Sequence, residues 1–176
     1  MIFPYIQRIF YDRSGAALVE FAITIPVLLT MYIGGYALSD AIACNRKVTI
    51  AARSIADLTS QNTSVSTSDV DTILNASAQV MSPYAAGNAV VRVSEVQVTD
   101  ATHAKVIWSQ AINGQPNVVG WSANLANNMA AVGSYLILAE IQYSYTSPIG
   151  GSLFKPMTFS DNIIMSPRLS DQVTHQ

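Results

Sequence analysis

Few side chains in this sequence are of a type and spacing that could do chemistry, and the first of them is Glu20. It is the only charge in the 23-residue run from Ala16 to Leu38. A carboxylate at full depth in a membrane helix costs about 2.5–3.5 kcal/mol, and less toward the interface, so Glu20 needs a partner or a place at the headgroups. The other candidates are weaker. His103 falls in an expected turn and His175 is next to last, and neither has a Cys, Asp or Glu at metal-ligand spacing. The serines lack a Gly-x-Ser-x-Gly elbow, and two such histidines give a triad no general base. Glycine-rich phosphate loops are absent. Asp69 and Asp71 read as first-turn helix residues and not as a metal pair. Cys44 reads as a small buried hydrophobe, and the tyrosines near residue 145 as sheet residues. The sequence therefore points to no enzyme, no metal, no cofactor and no small-molecule substrate.

The element that must position Glu20 is a helix. Twenty-three residues at about 1.5 Å each reach about 34 Å, enough to cross a hydrocarbon layer of about 30 Å. Pro26 cannot donate to the Ala22 carbonyl and is expected to bend or loosen that turn. Gly34-Gly35 gives a second soft place, or a surface that another helix can approach closely. The apolar period continues beyond the run through Ala41, Cys44, Val48, Ala51, Ile55 and Leu58, at spacings of three and four. One long helix from about Ala16 to Leu58 is expected, its second half packing on a folded domain. Arg8 and Arg13 precede the apolar run while Arg46, Lys47 and Arg53 follow it, so charge alone does not set an orientation.

The segment before the run is short, basic and ends in Gly15. If the chain is cut there, Ala16 becomes the first residue and Glu20 the fifth, followed by Phe21. This resembles the type IV prepilin processing signature, and the run GAALVEFAITIPVLL is similar to the start of TadE/TadG-like proteins. Those are minor pilins or pseudopilins of tight-adherence (Tad, Flp-type) pilus systems. Gly15, Glu20, Phe21 and Pro26 carry the match. The resemblance implies processing by a prepilin peptidase at Gly15 and Ala16, and subunit assembly through Glu20 and Phe21. It also implies partners among other Tad pilins, the inner-membrane assembly platform and membrane lipid, with the C-terminal domain periplasmic. Pairing of the new amine with Glu20 of a neighbour is physically sound, because neutralised charges persist where either alone would be expensive. The alternative is an uncleaved single-pass anchor whose Glu20 sits at headgroup level and which presents a periplasmic scaffold or binding module. A type II secretion pseudopilin fits less well, given the long tyrosine strand and the Pro-Arg ending.

Composition suits an exported, anchored chain. Half the residues are hydrophobic and only 11% are charged, where about 25% is usual. Loss of residues 1–15 would remove two arginines and one aspartate, moving the net charge from −2 to −3. No basic surface suited to nucleic acid remains. With a single cysteine, no intramolecular disulfide can form.

The expected architecture is α+β, with a long transmembrane helix continuing into a pilin-like domain that holds a second helix and about four antiparallel strands. The divisions are a leader at 1–15, a span at 16–38, the outer part of the helix at 39–58 and the domain at 59–176. Within the leader, Ile2, Phe3, Tyr5, Ile6, Ile9 and Phe10 could lie on the inner leaflet. Residues 59–68 read as a polar link, and Thr67 or Ser68 as the cap of the second helix, which buries Val70, Ile73, Leu74, Ser77, Val80 and Met81. Val91 and Val93 are out of phase with Val96 and Val98, so a bulge or a change of buried face is expected near Ser94-Glu95. Ala104, Val106 and Trp108 share one face of a return strand. An irregular segment follows through Asn128, with at most one short helical turn. Tyr135 to Tyr145 alternates apolar residues on both faces and is the expected central strand. Pro148-Ile149-Gly150-Gly151 breaks it, and Met157 to Met165 forms the last strand. The Tyr143-x-Tyr145 strand, the Pro/Gly loop and the Ser166-Pro167-Arg168 ending also resemble TadE/TadG-like chains, with Ser166 where those often carry Arg.

Overall fold

The computed structural model describes residues 13–126, 129–149 and 155–176, and all side chains among them except those of residues 13 and 14. Ile2, Phe3, Tyr5, Ile6, Arg8, Ile9 and Phe10 of the leader lie outside the described residues. So do Asn128 and the Gly150-Gly151 pair.

The architecture is α+β. Helix α1 runs unbroken over Arg13–Ser60, 48 residues with Pro26 inside it. It begins three residues before the expected start and ends two after the expected end. Its last turn is closed by side chains and a turn: Ser60 Oγ donates to Asp57 O at 2.9 Å and Asn62 Nδ2 to Leu58 O at 2.8 Å. These occupy carbonyls that have no helical donor left. The stripe Ala41, Cys44, Val48, Ala51 and Ile55 is buried as its spacing requires. Leu58 is not; it is 40% exposed, and Thr59 takes its place inside. Four residues past Ile55, not three, returns to the buried face of a 3.6-residue period.

Helix α2 spans Thr67–Gln79 and is capped one residue earlier than expected, by Ser66. Ser66 and Asp69 form a reciprocal capping box, the Ser66 backbone N–H donating to Asp69 Oδ2 at 2.9 Å. Val70, Leu74, Ser77 and Met81 are buried under it, while Ile73 and Val80 are half-buried.

Among the described residues seven strands follow the order β1 Ser64–Val65, β2 Ala89–Val98, β3 His103–Ile112, β4 Ser122–Asn124, β5 Tyr135–Tyr145, β6 Met157–Met165 and β7 Thr174–His175. The main antiparallel sheet has five strands, not four, ordered β4-β3-β2-β5-β6. The extra one, β4, lies in the segment expected to be irregular, and no helical turn forms among its described residues. The polar link carries β1, which pairs in parallel with β7. The longest strand, β5, is interior as expected, but β2 occupies the middle of the sheet.

The phase change near Ser94-Glu95 is a change of buried face, because β2 pairs with β5 in unbroken register and its Val91 and Val93 face one core while Val96 and Val98 face the other. The β2–β3 register shifts between Glu95 and Val96, which pair with Trp108 and Val106, leaving Ile107 as the extra residue. The bulge therefore lies on β3, and it separates Trp108 from Ala104 and Val106 instead of placing them on one face. Trp108 joins Val91, Val93, Ile137, Ala139 and Ile141 against the helices. Ala104 and Val106 join Val96, Val98, Leu136 and Leu138 on the opposite face, with Ala123 of the edge strand β4 and Leu125 beside them. The sheet thus has two cores, one against the helices and a smaller one behind it.

Candidate functional site

The residues singled out for processing and assembly stand on the part of α1 that nothing covers. Gly15 is half-buried, Ala16 and Glu20 are exposed, and Phe21 is 64% exposed. The Gly15-Ala16 bond lies within helix α1, Arg13–Ser60. A Cβ at Gly15 would meet nothing within 4 Å, so packing does not demand glycine there. Among the described residues, Glu20 and Phe21 have no tertiary surroundings. From Gly15 to Tyr36 no residue is buried.

The next charge after Glu20 is Asp40. The 19 residues between them carry none, and at about 1.5 Å each they measure about 28 Å, close to a bilayer's hydrocarbon thickness. The helix is long and apolar enough to cross a membrane, and the most apolar stretch is entirely uncovered. Thr30 Oγ1 donates to Pro26 O at 2.8 Å, so this hydroxyl is satisfied by the helix's own backbone in the bare turns after the proline.

Asp40 is where the domain takes hold of the helix. Tyr145 OH donates to Asp40 Oδ2 at 2.6 Å and Tyr84 OH to Asp40 Oδ1 at 2.9 Å, with a further 3.0 Å approach of Tyr84 OH to Asp40 O. The Tyr84 ring meets the rings of Tyr143 and Tyr145 edge-on at 6.2 and 6.3 Å. Burial and the adjacent carboxylate push the Tyr145 hydroxyl up to about 12, and the same causes raise Tyr84. Both phenols therefore keep their protons and act as donors. Cys44, one turn on, is raised to about 11 by burial and then by Asp40, so it is an unreactive packing thiol.

Two further side-chain bonds fasten the same helix. Thr49 Oγ1 donates to Asp161 Oδ2 on β6 at 2.6 Å, and Arg168 pairs with Asp57 at 2.6 Å. Past Arg168 the chain crosses the inner core as a strap. The Val173 N–H donates to Glu95 Oε1 at 2.5 Å, and the Trp108 indole donates to Val173 O at 2.8 Å. Glu95 is 2% exposed, and burial raises its carboxyl above the ordinary range despite these donors.

The histidines are placed differently from expectation in one respect. His103 does have an acidic neighbour: its Nδ1 lies 2.9 Å from Asp100 Oδ1 in an exposed turn. The Thr102 N–H and then His103 hold the Asp100 carboxyl down at about 2, which marks a turn-forming aspartate. His175 stacks on Trp108 at 5.2 Å. Among the described residues no three His, Cys, Asp or Glu side chains gather as a metal site would require. Asp71 faces Gln110 on β3, whose Nε2 donates to it at 2.6 Å, so it ties α2 to the sheet.

Sequence reasoning missed Tyr84 and the meaning of Asp40. The signal was available in one respect: Asp40 is the first charge after the uncharged run. That Tyr84 and Tyr145 would converge on it required the fold.

A family model described as TadE-like protein matches residues 15–57. The matched segment covers α1 nearly end to end and agrees with the resemblance read from Gly15, Glu20, Phe21 and Pro26. The Tyr143-x-Tyr145 strand and the Ser166-Pro167-Arg168 ending lie beyond it. No curated protein and no solved structure matches the chain. A TadE-like segment on an uncovered apolar helix fits a Tad-associated membrane protein.

Proposed function

We propose that this chain is a minor pilin or pseudopilin-like subunit of a tight-adherence pilus system, anchored in the bacterial inner membrane and supporting pilus biogenesis and surface attachment. The observation that carries this reading is the bare half of α1, the first part of the TadE-like segment, with Glu20 as its one carboxylate and no partner for it among the described residues. A prepilin peptidase removes residues 1–15 and leaves Ala16 as the new amine. Residues 16–38 span the membrane, 39–58 continue the helix outside, and 59–176 form the periplasmic domain. Other Tad pilins and the inner-membrane platform are the partners, and the chain catalyses nothing itself. Glu20 neutralises an amine on a neighbouring subunit, and Phe21 packs beside it.

A second reading, the uncleaved single-pass anchor presenting a scaffold module, draws on the position of the scissile bond. Gly15-Ala16 is helical, and cleavage requires that turn to open. Glycine lowers the cost of opening, because it gains more backbone freedom than any other residue.

Intact mass of the membrane-extracted protein separates the two. The subunit reading expects a chain starting at Ala16, and Gly15→Leu blocks that processing. A chain still starting at Met1 in cells with an active peptidase refutes it. Glu20→Gln then tests assembly. Removing one member of a desolvated charge pair costs about 3–5 kcal/mol, so crosslinked assemblies and surface attachment fall while insertion and cleavage persist. Unchanged assembly at wild-type expression leaves only the anchor.

A further inference from the structure

Where α1 passes from bare to buried, it shares an apolar hollow of about 170 Å³ with the edge of the sheet. Three small residues of α1, Gly34, Ala37 and Ala41, form its floor, Tyr145 and Met157 its wall, and the exposed Lys155 stands on its margin. The position matters as much as the lining. The hollow lies at the end of the uncharged run, beside Asp40, where hydrocarbon gives way to headgroups.

Among the described residues no carboxylate pairs with Lys155. Among the described residues the ion pairs are Asp57 with Arg168 and Asp100 with His103. Asp40, on the same stretch of helix, already accepts from two tyrosines. An apolar recess with an unanswered ammonium on its margin matches a molecule with a hydrocarbon tail and an anionic head. A neighbouring copy of the helix suits it less. Small residues do admit a second helix, but the carboxylate a copy brings to that depth, its Asp40, already accepts from two tyrosines of its own domain.

We propose that this hollow seats the acyl chain of an anionic phospholipid whose phosphate pairs with Lys155, in the leaflet on the domain side. This rests on α1 being a membrane anchor. Lipid held there fills the space between helix and sheet and steadies the domain against the membrane surface.

The test uses the full chain in nanodiscs of equimolar phosphatidylcholine and phosphatidylglycerol, with retained lipid identified by native mass spectrometry. Phosphatidylglycerol is expected to be retained about fivefold over phosphatidylcholine, the effect of one lysine at an anionic surface. Lys155→Gln removes the preference and Lys155→Arg keeps it. Gly34→Leu, whose Cβ would meet nothing within 4 Å, fills the hollow and lowers retention of both lipids. Added inorganic phosphate leaves retention unchanged. Equal retention of the two lipids, or a preference that survives Lys155→Gln, overturns the proposal. So does phosphate binding with the same lysine dependence in lipid-free detergent, or a dimer that Gly34→Leu dissociates. A chain that does not enter the nanodisc at all refutes the anchor itself, and incorporation is scored before any lipid is counted.

Discussion

The two halves of α1 share one backbone and one period and differ in nearly everything else. From Gly15 to Tyr36 most side chains are large and apolar and none is buried, Leu18, Phe21, Ile23, Met31 and Tyr32 among them. From Ala37 to Ser60 the buried side chains are mostly small: Ala37, Ala41, Cys44, Ala51, Ala52 and Ala56. Small residues let the sheet approach the helix axis closely, and the remaining polar positions reach across to tyrosine, aspartate and arginine. The outer half is shaped for one fixed partner within the chain. The inner half is shaped for a solvent of hydrocarbon or for other helices, and helical periodicity alone does not tell these apart.

The sharpest way to break this contrast is to truncate an isoleucine in each half. Ile55 is fully buried, so Ile55→Ala is expected to cost about 2–5 kcal/mol of domain stability. Ile23 is 65% exposed, so Ile23→Ala leaves the unfolding midpoint unchanged in detergent. Equal losses at the two positions would mean that the bare half folds back on the domain.

A smaller effect is expected at the boundary. Asp40→Ala takes the carboxylate acceptor from the Tyr145 hydroxyl, at about 1–3 kcal/mol, while Tyr84 OH keeps the residue 40 carbonyl 3.0 Å away. Denaturant unfolding followed by tyrosine fluorescence measures it. Conversely, loss of either tyrosine hydroxyl alone, as Phe, costs less than loss of Asp40. A neutral Asp40→Ala would show that water replaces the carboxylate and that the joint is not a fastening.

The smallest effect is one of pH, and it lies wholly on the domain side. Burial raises the Glu95 carboxyl in the folded state above its ordinary 4.5. The fold therefore favours the protonated form: its stabilising share is complete below 4.5 and is lost as pH rises through the raised folded value. Asp100 runs the other way, with stability present above 3.8 and lost as pH falls toward about 2. Urea midpoints taken between about pH 4 and 8 should decline for the native chain, and the decline should flatten for Glu95→Gln. A midpoint that climbs across that window would place Glu95 in a far wetter setting.

Most of the fold was legible wherever one periodicity governed one face. The stripe from Ala41 to Ile55, the two-sided alternation of Tyr135 to Tyr145 and the capped second helix all follow from spacing. Misreadings occurred where a contact distant in sequence decided the outcome. Ile107 bulges on β3, so Trp108 changes sides, and its indole meets Val173 at the other end of the chain. The strands β1 and β7 are two residues each and rest on pairing with one another, which no local pattern announces. At the candidate site, Glu20 was legible because an isolated charge in an apolar run stands out. Asp40 was visible as a charge but not as a joint, since its tyrosines lie 44 and 105 residues away.

The fastenings of α1 have a mechanical meaning. They sit at Asp40, Thr49 and Asp57, spread over about 25 Å of one rigid rod, and each ties it to a different part of the domain. A pull along the helix axis loads all three at once, in shear, and no single bond must bear the whole force. A pull across the axis would open them one after another, like a zip. A domain attached in this way holds firmly against tension transmitted down its own anchor and yields readily to a sideways peel.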